Sequence, residues 1–312
     1  MSETSIFREM LKGLFKTMSK VPLRVNYALA GGVAWILHSV IRYRRKIVMQ
    51  NLRESFPEKS ERELKSISRE YYRFLGDYFV ETVALASMTE EEIRRRMRFE
   101  NVEAVDACLL AGRPVTLFLG HYCNWEWCSS IPLHLSAPCR PLQIYHPLSN
   151  KDADKAFLML RDRFGNNSVT MADTLRAIVA ARREGLPSIT GYIADQAPLY
   201  DSTHLFLDFL NHDTPVLTGA EKISRRIGAA VFYCDMRRES RGNYVCRYVE
   251  ISPDASKEEM FAPTRRYWEL LEKSIRRQPA YWLWSHRRWK RTREGFMSLY
   301  GPEEAARRLS AL

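Results

Sequence analysis

The stretch Val115-Thr-Leu-Phe-Leu-Gly-His121-Tyr-Cys-Asn-Trp-Glu126-Trp gives the clearest signal of the fold. Its first five residues form a short apolar run, which is typical of a buried strand. Gly120 ends this run, and His121 follows at once. Asn124 is suited to cap a helix at its first turn. The apolar residues after it recur at intervals of four, which predicts a helix with one buried stripe: Trp127, Ile131 and Leu135.

This arrangement brings a histidine and a carboxylate close to one another. His121 lies in the loop at the carboxyl end of the strand, and Glu126 lies in the first turn of the predicted helix. We therefore expect the two side chains to meet, with Glu126 fixing the tautomer and orientation of a general base. The spacing alone also suits a capping histidine and a solvated glutamate. The position after a strand favours a site, because open α/β sheets bind ligands at the carboxyl ends of their strands.

From Val115 onward, strand-like and helix-like segments alternate. This pattern predicts an α/β fold with a mixed or mostly parallel sheet flanked by helices. The predicted strands are Val115–Leu119, Leu142–Tyr145, Ser188–Ile193, Ala229–Asp235 and Tyr244–Ile251. The predicted helices are Asn124–Leu135, Asp152–Phe164, Asp173–Arg183, Thr218–Ile227 and Lys257–Arg277. We expect one catalytic domain over 51–312, preceded by a helical arm over 1–50.

The arm has the properties of a membrane-associated segment. Residues 2–20 predict an amphipathic helix that can lie on a membrane surface. The 15 residues from Tyr27 to Ile41 contain no acidic residue, lysine or arginine, although about 20 apolar residues are needed to cross a bilayer. Arg42, Arg44 and nearby basic residues follow, as expected on a cytoplasmic flank. A marginal anchor, a helix half-buried in the inner leaflet and an ordinary core helix all fit this segment.

The net charge of +11 allows a nucleic acid, an anionic membrane or a phosphorylated substrate as partner. The basic residues are spread along the chain without a zinc-finger pattern or RNA-recognition signature, so we expect no nucleic-acid partner. The six cysteines show no Cys-x2-Cys pair and no histidine at metal-ligand spacing. We expect no metal and no cofactor.

Six motifs occur in a fixed order and together resemble those of the bacterial lipid A biosynthesis acyltransferases, members of the lysophospholipid acyltransferase superfamily. The resemblance covers nearly the whole chain. The motifs are His121-x4-Glu126, Ile144-Tyr-His-Pro147 with Asn150, Arg161-Asp-Arg-Phe-Gly165, Ala194-Asp-Gln196, Thr214–Gly219 and Gln278-Pro-x-x-Trp-x-Trp-x-His-Arg-Arg-Trp-Lys290.

The resemblance implies transfer of a fatty acyl group from a thioester of acyl carrier protein to a hydroxyl of a lipid A precursor. It also implies a bacterial inner-membrane location, with the site facing the cytoplasm. His121 would be the general base and Glu126 its orienting acid. Arg161 or Arg163 would bind a phosphate or the oxyanion, although both also suit the carboxyl end of a helix.

Asp195 and Gln196 end a predicted strand, which is a site position as well as a common turn. We expect both to contact substrate. Two other functions remain open for the whole chain. The acceptor could be an aminolipid, a lysophospholipid or a glycosylated phosphoinositide, or the protein could bind lipid without catalysis.

Overall fold

A seven-stranded sheet forms the centre of the protein. The structure is a computed structural model, and it describes residues 21–310. The strand order is β1-β9-β8-β2-β5-β3-β4; the β8–β9 pair is antiparallel and the other pairs are parallel. The strands are β1 Met97–Glu100, β2 Val115–Leu119, β3 Arg140–Tyr145, β4 Asn167–Thr170, β5 Ser188–Ile193, β8 Ala230–Ser240 and β9 Asn243–Ser252. A separate antiparallel hairpin contains β6 Phe206–Phe209 and β7 His212–Pro215.

The predicted α/β architecture with a mostly parallel sheet is confirmed, and all five predicted strands are present. Sequence reasoning missed β1, β4 and the β6–β7 hairpin. Each of these strands has only four residues, which is too short for a period-2 pattern to stand out. β2 was the easiest to recognise because all five of its residues are buried.

Helices flank the sheet, and further helices precede its first strand and follow its last strand in the chain. They are α1 Leu23–Trp35, α2 Arg45–Ser55, α3 Glu61–Ala84, α4 Glu90–Arg96, α5 Val102–Leu110, α6 Lys151–Arg161, α7 Thr174–Arg183, α8 Gly219–Ile227, α9 Ala262–Arg277, α10 Arg293–Tyr300 and α11 Pro302–Leu309. The long α3 begins at a capping box, in which the Ser60 side chain accepts from the Glu63 N–H and Glu63 accepts from the Ser60 N–H.

The segment after β2 is not the α-helix that the apolar spacing predicted. Residues Trp125–His134 form a 3₁₀ helix, with Pro132 inside it. Proline has no N–H to donate and clashes with the preceding turn of an α-helix, so this segment cannot continue as a regular α-helix. Asn124 does cap it, since its side-chain oxygen accepts from the Trp127 N–H.

The N-terminal arm packs on the body of the protein by one side. Leu23, Ala30 and Ala34 of α1 are buried. A Cβ on Gly76 of α3 would lie 2.5 Å from the Ala30 carbonyl oxygen, so only glycine allows the two helices to approach this closely. Within residues 21–310, no helix is both long and apolar enough to cross a bilayer.

The membrane-associated arm therefore stays a prediction, as does the domain division at residue 50. The amphipathic helix expected over residues 2–20 lies outside the described residues. The side of α1 and the following turn that faces away from the body is apolar and exposed, including Val25, Leu29, Ile36 and Val40.

Candidate active site

His121 lies at the carboxyl edge of the central sheet, as the sequence predicted. It follows β2 by two residues, and its side chain is 15% exposed. The C-terminal segment fixes the loop that carries it: the Leu283 N–H donates to the His121 carbonyl oxygen, and the Cys123 N–H donates to the Tyr281 carbonyl oxygen. The loop backbone is thus held at His121 and again at Cys123, which limits the movement of the imidazole.

Asp195, at the end of the neighbouring β5, holds the imidazole. Its Oδ1 lies 2.5 Å from His121 Nδ1, and its Oδ2 accepts from the His121 backbone N–H at 2.8 Å. Oδ2 also accepts from Trp282 Nε1–H at 2.8 Å. Burial opposes the charge of this carboxylate, but the interactions with His121 and Trp282 outweigh it and lower the pKa of Asp195. An ionised Asp195 accepts a hydrogen bond from Nδ1–H, so the proton stays on Nδ1 and Nε2 keeps its lone pair.

The Nε2 atom of His121 points toward groups that a substrate can displace. The side-chain amide nitrogen of Gln196 lies 3.2 Å from it, and Gln196 is exposed. Trp125 packs edge-on against the imidazole, with ring centroids 5.1 Å apart. The arrangement has the parts of a general base: an oriented ring, an acceptor nitrogen and a partly open approach.

Glu126 does not orient His121, so this part of the sequence prediction is wrong. Both carboxylate oxygens of Glu126 bind the Arg161 guanidinium, at 2.9 Å from Nε and 2.7 Å from Nη2. Tyr78 donates a further long hydrogen bond of 3.4 Å to Oε1. The physical reason is competition: a buried carboxylate is stabilised more by a bidentate guanidinium than by a neutral imidazole. The acid that meets Nδ1 comes from another strand of the sheet.

The two predicted arginines have different roles in the structure. Arg161 ends α6 and its side chain is 19% exposed. Burial disfavours its charge, yet the contact with Glu126 raises the pKa of Arg161. Arg163 instead donates to the carbonyl oxygen of Leu85, just after the end of α3. Arg161 therefore lies beside the residues of the β2 loop, whereas Arg163 caps a helix end.

Sequence reasoning missed several residues that shape the site. Trp282, in the tryptophan-rich segment after α9, donates to Asp195. Trp282 and Trp284 are both almost completely buried, so this segment is part of the core beside the site. His286 Nε2 accepts from the Ala197 N–H at 3.3 Å, and burial lowers the pKa of His286 to about 4. The order Trp-x-Trp-x-His was visible in the sequence, but its contact with Asp195 was not.

Glu81 of α3 supports the same loop from below. It is fully buried, and its Oε2 accepts from Asn124 Nδ2 and from the Tyr244 hydroxyl, each at 2.8 Å. The Tyr27 hydroxyl of α1 donates to Oε1 at 2.7 Å. Burial raises the pKa of Glu81 despite these hydrogen bonds. One side chain thus connects the N-terminal arm, the core of the sheet and the cap of the 3₁₀ helix.

An apolar slot lies beside Trp125, between the 3₁₀ helix and one face of β2, β3 and β5. It contains about 30 Å³ of open space, which is room for a water molecule or two. Its walls include Leu117, Leu119, Ile131, Leu142 and Gly191. Within residues 21–310, no group of three or more His, Cys, Asp or Glu side chains is placed to hold a metal ion. The site therefore offers acid–base chemistry next to an apolar surface.

Comparison with known proteins identifies a family and several relatives to which the chain is similar. The family model described as bacterial lipid A biosynthesis acyltransferase matches residues 7–291. A lipid A biosynthesis palmitoleoyltransferase of Escherichia coli K12 is 24% identical over 287 residues, covering 90% of each chain. A lipid A biosynthesis lauroyltransferase of the same organism is 24% identical over 290 residues, covering 92% of each chain. A lipid A biosynthesis acyltransferase of Shigella flexneri is 24% identical over 287 residues, again covering 90% of each chain.

Proposed function

The chain belongs to the bacterial lipid A biosynthesis acyltransferase family, and on that premise we propose that it transfers a fatty acyl group from an acyl-carrier-protein thioester to a hydroxyl of a lipid A precursor. The observation that carries the proposal is the His121–Asp195 pair, which holds an open Nε2 at the carboxyl edge of the sheet beside an apolar slot. A protein that only binds lipid has no need of the His121–Asp195 pair.

His121 acts as the general base. The acceptor hydroxyl displaces the Gln196 amide and donates to His121 Nε2. As the hydroxyl oxygen attacks the thioester carbonyl, its proton moves to Nε2, and Asp195 stabilises the resulting imidazolium. When the tetrahedral intermediate collapses, the carbon–sulfur bond breaks and the imidazolium returns the proton to the thiolate. The products are an ester and a free thiol, and His121 is regenerated without an acyl-enzyme.

Arg161 supplies positive charge near the reacting carbonyl. The Glu126 contact holds its guanidinium in one orientation through two parallel hydrogen bonds, and Phe157 packs under it with the guanidinium carbon 5.3 Å from the ring centroid. A guanidinium fixed in this way loses little conformational entropy when it binds an anionic group. Glu126 is then a positioning residue for Arg161, and Gln196 a contact of the acceptor.

The acyl chain of the donor enters the apolar slot. The slot is too narrow for a fatty chain as it stands, so Trp125 and Ile131 have to move apart when the chain enters. Each methylene group that reaches the slot contributes about 0.8 kcal/mol. A slot of limited depth would therefore select chain length.

The protein works at the cytoplasmic face of the inner membrane. The exposed apolar side of α1 and the turn after it carries Val25, Leu29, Ile36 and Val40, which are 55%, 51%, 43% and 57% exposed. These residues follow one another at intervals of four, seven and four, which correspond to one or two helical turns, so they share one side of the helical arm. A contiguous apolar surface of this kind is typical of a membrane contact.

The experiment is an acyl-transfer assay with the purified full-length protein in detergent or nanodiscs. Acyl-carrier-protein thioesters and coenzyme A thioesters are offered separately with a lipid A precursor, a lysophospholipid, an aminolipid and a glycosylated phosphoinositide. Mass spectrometry should detect an added ester on the lipid A precursor, with the carrier-protein thioester as the better donor. His121→Ala should abolish it. Product on another acceptor alone, or transfer that persists in His121→Ala, would contradict the proposal.

A further inference from the structure

A second cavity shares no lining residue with the apolar slot. It is a cleft of about 820 Å³ between α1, α3 and the end of the β8–β9 hairpin. We call it the arginine cleft, because four arginines line it: Arg69, Arg73, Arg238 and Arg241. The reaction described above uses none of them.

The arginine cleft opens on the same edge of the sheet as His121. The parallel pairing of β2 with β8 ends at Phe118 and Tyr233, and β8 then continues to Ser240. The residues of β8 after Tyr233 therefore project beyond the carboxyl end of β2, which is where His121 lies.

A row of aromatic rings connects the two places. Phe74, in the wall of the cleft, lies 6.4 Å from the Tyr78 ring, and Tyr78 lies 4.3 Å from Trp125. Trp125 is the residue that packs on His121. A single ring, that of Tyr78, therefore lies between Phe74 in the wall of the cleft and Trp125, which touches the imidazole.

The cleft contains cations that the protein itself leaves without a partner. Among residues 21–310, Arg69 and Arg73 form no hydrogen bond and no ion pair. They are one turn apart on α3 and both are exposed. Two arginines in this relation present a pair of guanidinium groups to one anion, and a phosphate is the anion that guanidinium geometry suits best.

The other charges of the cleft are largely balanced within the protein. Asp77 accepts from both Arg238 and Arg241, and Glu239 pairs with Arg98 at 2.6 Å. Glu70 remains as the carboxylate beside Arg69, and it accepts from Gln278 at 2.9 Å. The balance leaves Arg69 and Arg73 as the groups that an incoming anion would meet.

The remaining walls suit a sugar rather than a bare phosphate. Five aromatic side chains line the cleft: Tyr27, Trp35, Tyr72, Phe74 and Tyr281. The C–H faces of a sugar ring are apolar and pack on aromatic faces, while its hydroxyl groups bind polar side chains such as Ser39 and Glu70. Trp35 is 63% exposed and lies next to the exposed apolar residues of the arm, so the cleft borders the proposed membrane surface.

We propose that the arginine cleft binds the phosphorylated sugar headgroup of the membrane glycolipid acceptor, with Arg69 and Arg73 on a phosphate group. When the headgroup is bound in the cleft, another part of the same lipid extends past Phe74 and Tyr78 and places a hydroxyl at His121. This inference rests on the proposed function for the identity of the lipid, but the cleft can be tested by binding alone.

The test compares Arg69→Gln/Arg73→Gln with a matched control, Arg62→Gln/Lys65→Gln. The control removes two exposed cations of the same helix that do not line the cleft. The full-length proteins are titrated with nanodiscs that contain a phosphorylated lipid A precursor, its dephosphorylated form or phosphatidylglycerol. We expect the cleft variant to bind the phosphorylated precursor at least tenfold more weakly than wild type, with no loss on the dephosphorylated lipid. The control should match wild type on all three.

Two outcomes would overturn the inference. Unchanged affinity of the cleft variant for the phosphorylated precursor would show that Arg69 and Arg73 do not contact its phosphate. An equal loss on phosphatidylglycerol would show that the two arginines contact the anionic bilayer in general rather than a specific headgroup.

Steady-state kinetics separates this inference from the proposed function. We expect the cleft variant to raise KM for the acceptor at least tenfold, with little change in kcat or in KM for the donor. If wild type binds the precursor as described but transfers no acyl group, the proposed function fails and the cleft assignment stands. If wild type transfers the acyl group and KM for the acceptor is unchanged in the variant, the cleft assignment fails and the function stands.

Discussion

Replacing Asp195 by asparagine should abolish most of the activity by moving a single proton. In the structure Oδ2 accepts two N–H donors, from the His121 backbone and Trp282, while Oδ1 faces Nδ1. An asparagine has one acceptor oxygen. It should turn this oxygen toward the two N–H donors, since leaving both buried without an acceptor costs about 1–3 kcal/mol for each. Its NH2 group then faces Nδ1 and donates to it, so the imidazole proton moves to Nε2.

An imidazole protonated on Nε2 cannot accept the proton of the acceptor hydroxyl. The same carboxylate-to-amide change beside a catalytic histidine lowers kcat by about 10⁴-fold in a serine protease, a known example of this effect. That factor corresponds to about 5.5 kcal/mol of transition-state stabilisation. We expect a loss of 10³- to 10⁴-fold in kcat for Asp195→Asn, with KM for the acceptor changed much less.

Glu126→Gln is the informative comparison, because Glu126 is the acid that the sequence pointed to. A glutamine keeps one hydrogen bond to Arg161 and leaves its guanidinium without a counter-charge in a mostly buried place. We expect a fall of about 3 kcal/mol in the free energy of unfolding, and a kcat within about tenfold of wild type for the protein that stays folded. Arg161 loses its fixed orientation but keeps its charge.

Glu221→Gln serves as the control for loss of a buried carboxylate. Glu221 is fully buried and accepts from the Phe261 and Thr264 backbone N–H groups, but it does not touch His121. This variant should lose stability and keep its kcat. The assays are single-turnover acyl transfer and thermal unfolding monitored by circular dichroism. A kcat for Asp195→Asn within tenfold of wild type, or a larger kcat loss in Glu126→Gln, would refute the reasoning.

Three further changes probe the surroundings of the pair. Gly120→Ala should lower the free energy of unfolding by about 1–3 kcal/mol and also lower kcat. The reason is that its Cβ would lie 2.6 Å from Leu271 Cδ1 and 3.3 Å from Asp195 Oδ2. A wild-type free energy of unfolding together with a wild-type kcat would contradict this. Gly191→Ala should shift donor preference toward shorter acyl chains, by about fourfold for each excluded methylene. The reason is that its Cβ enters the slot at an ordinary 3.6 Å from Leu119 Cδ1. A competition assay among thioesters with saturated acyl chains of different length measures the shift. His286 is neutral when folded, with its pKa lowered from 6.5 to about 4. The unfolded chain therefore binds the extra proton between these values. The free energy of unfolding should fall as pH drops through that window, by about 2 kcal/mol after screening of a partly exposed ring, and His286→Gln should flatten this dependence.

Local patterns were sufficient for most of the fold. β2 stands out because its apolar and β-branched residues are continuous, as expected for a central strand of a parallel sheet with both faces covered. The other four predicted strands are rich in such residues but also contain polar residues or glycine. The capping box at Ser60 and Glu63 marks the start of α3 because both hydrogen bonds join residues three apart in sequence. The order of polar motifs was also enough to predict the family to which the comparisons assign the chain.

Pro132 shows where a local pattern misled. The spacing of Trp127, Ile131 and Leu135 fits an α-helix, and the proline between them argues against one. The structure follows the proline and forms a 3₁₀ helix. The apolar spacing correctly indicated that this segment is buried, but it did not indicate the helix type.

The sequence by itself determined that His121 follows a buried strand and that Asp195 follows another, because both facts depend on neighbouring residues alone. The tertiary structure decided which acid meets the imidazole. β2 and β5 are adjacent and parallel, with Leu119 opposite Ile193, so residues 74 positions apart in sequence meet at one edge. Glu126, only five positions away, is bound instead by Arg161 from α6. Strand pairing and competition between partners depend on the whole chain, and no spacing within one segment contains them.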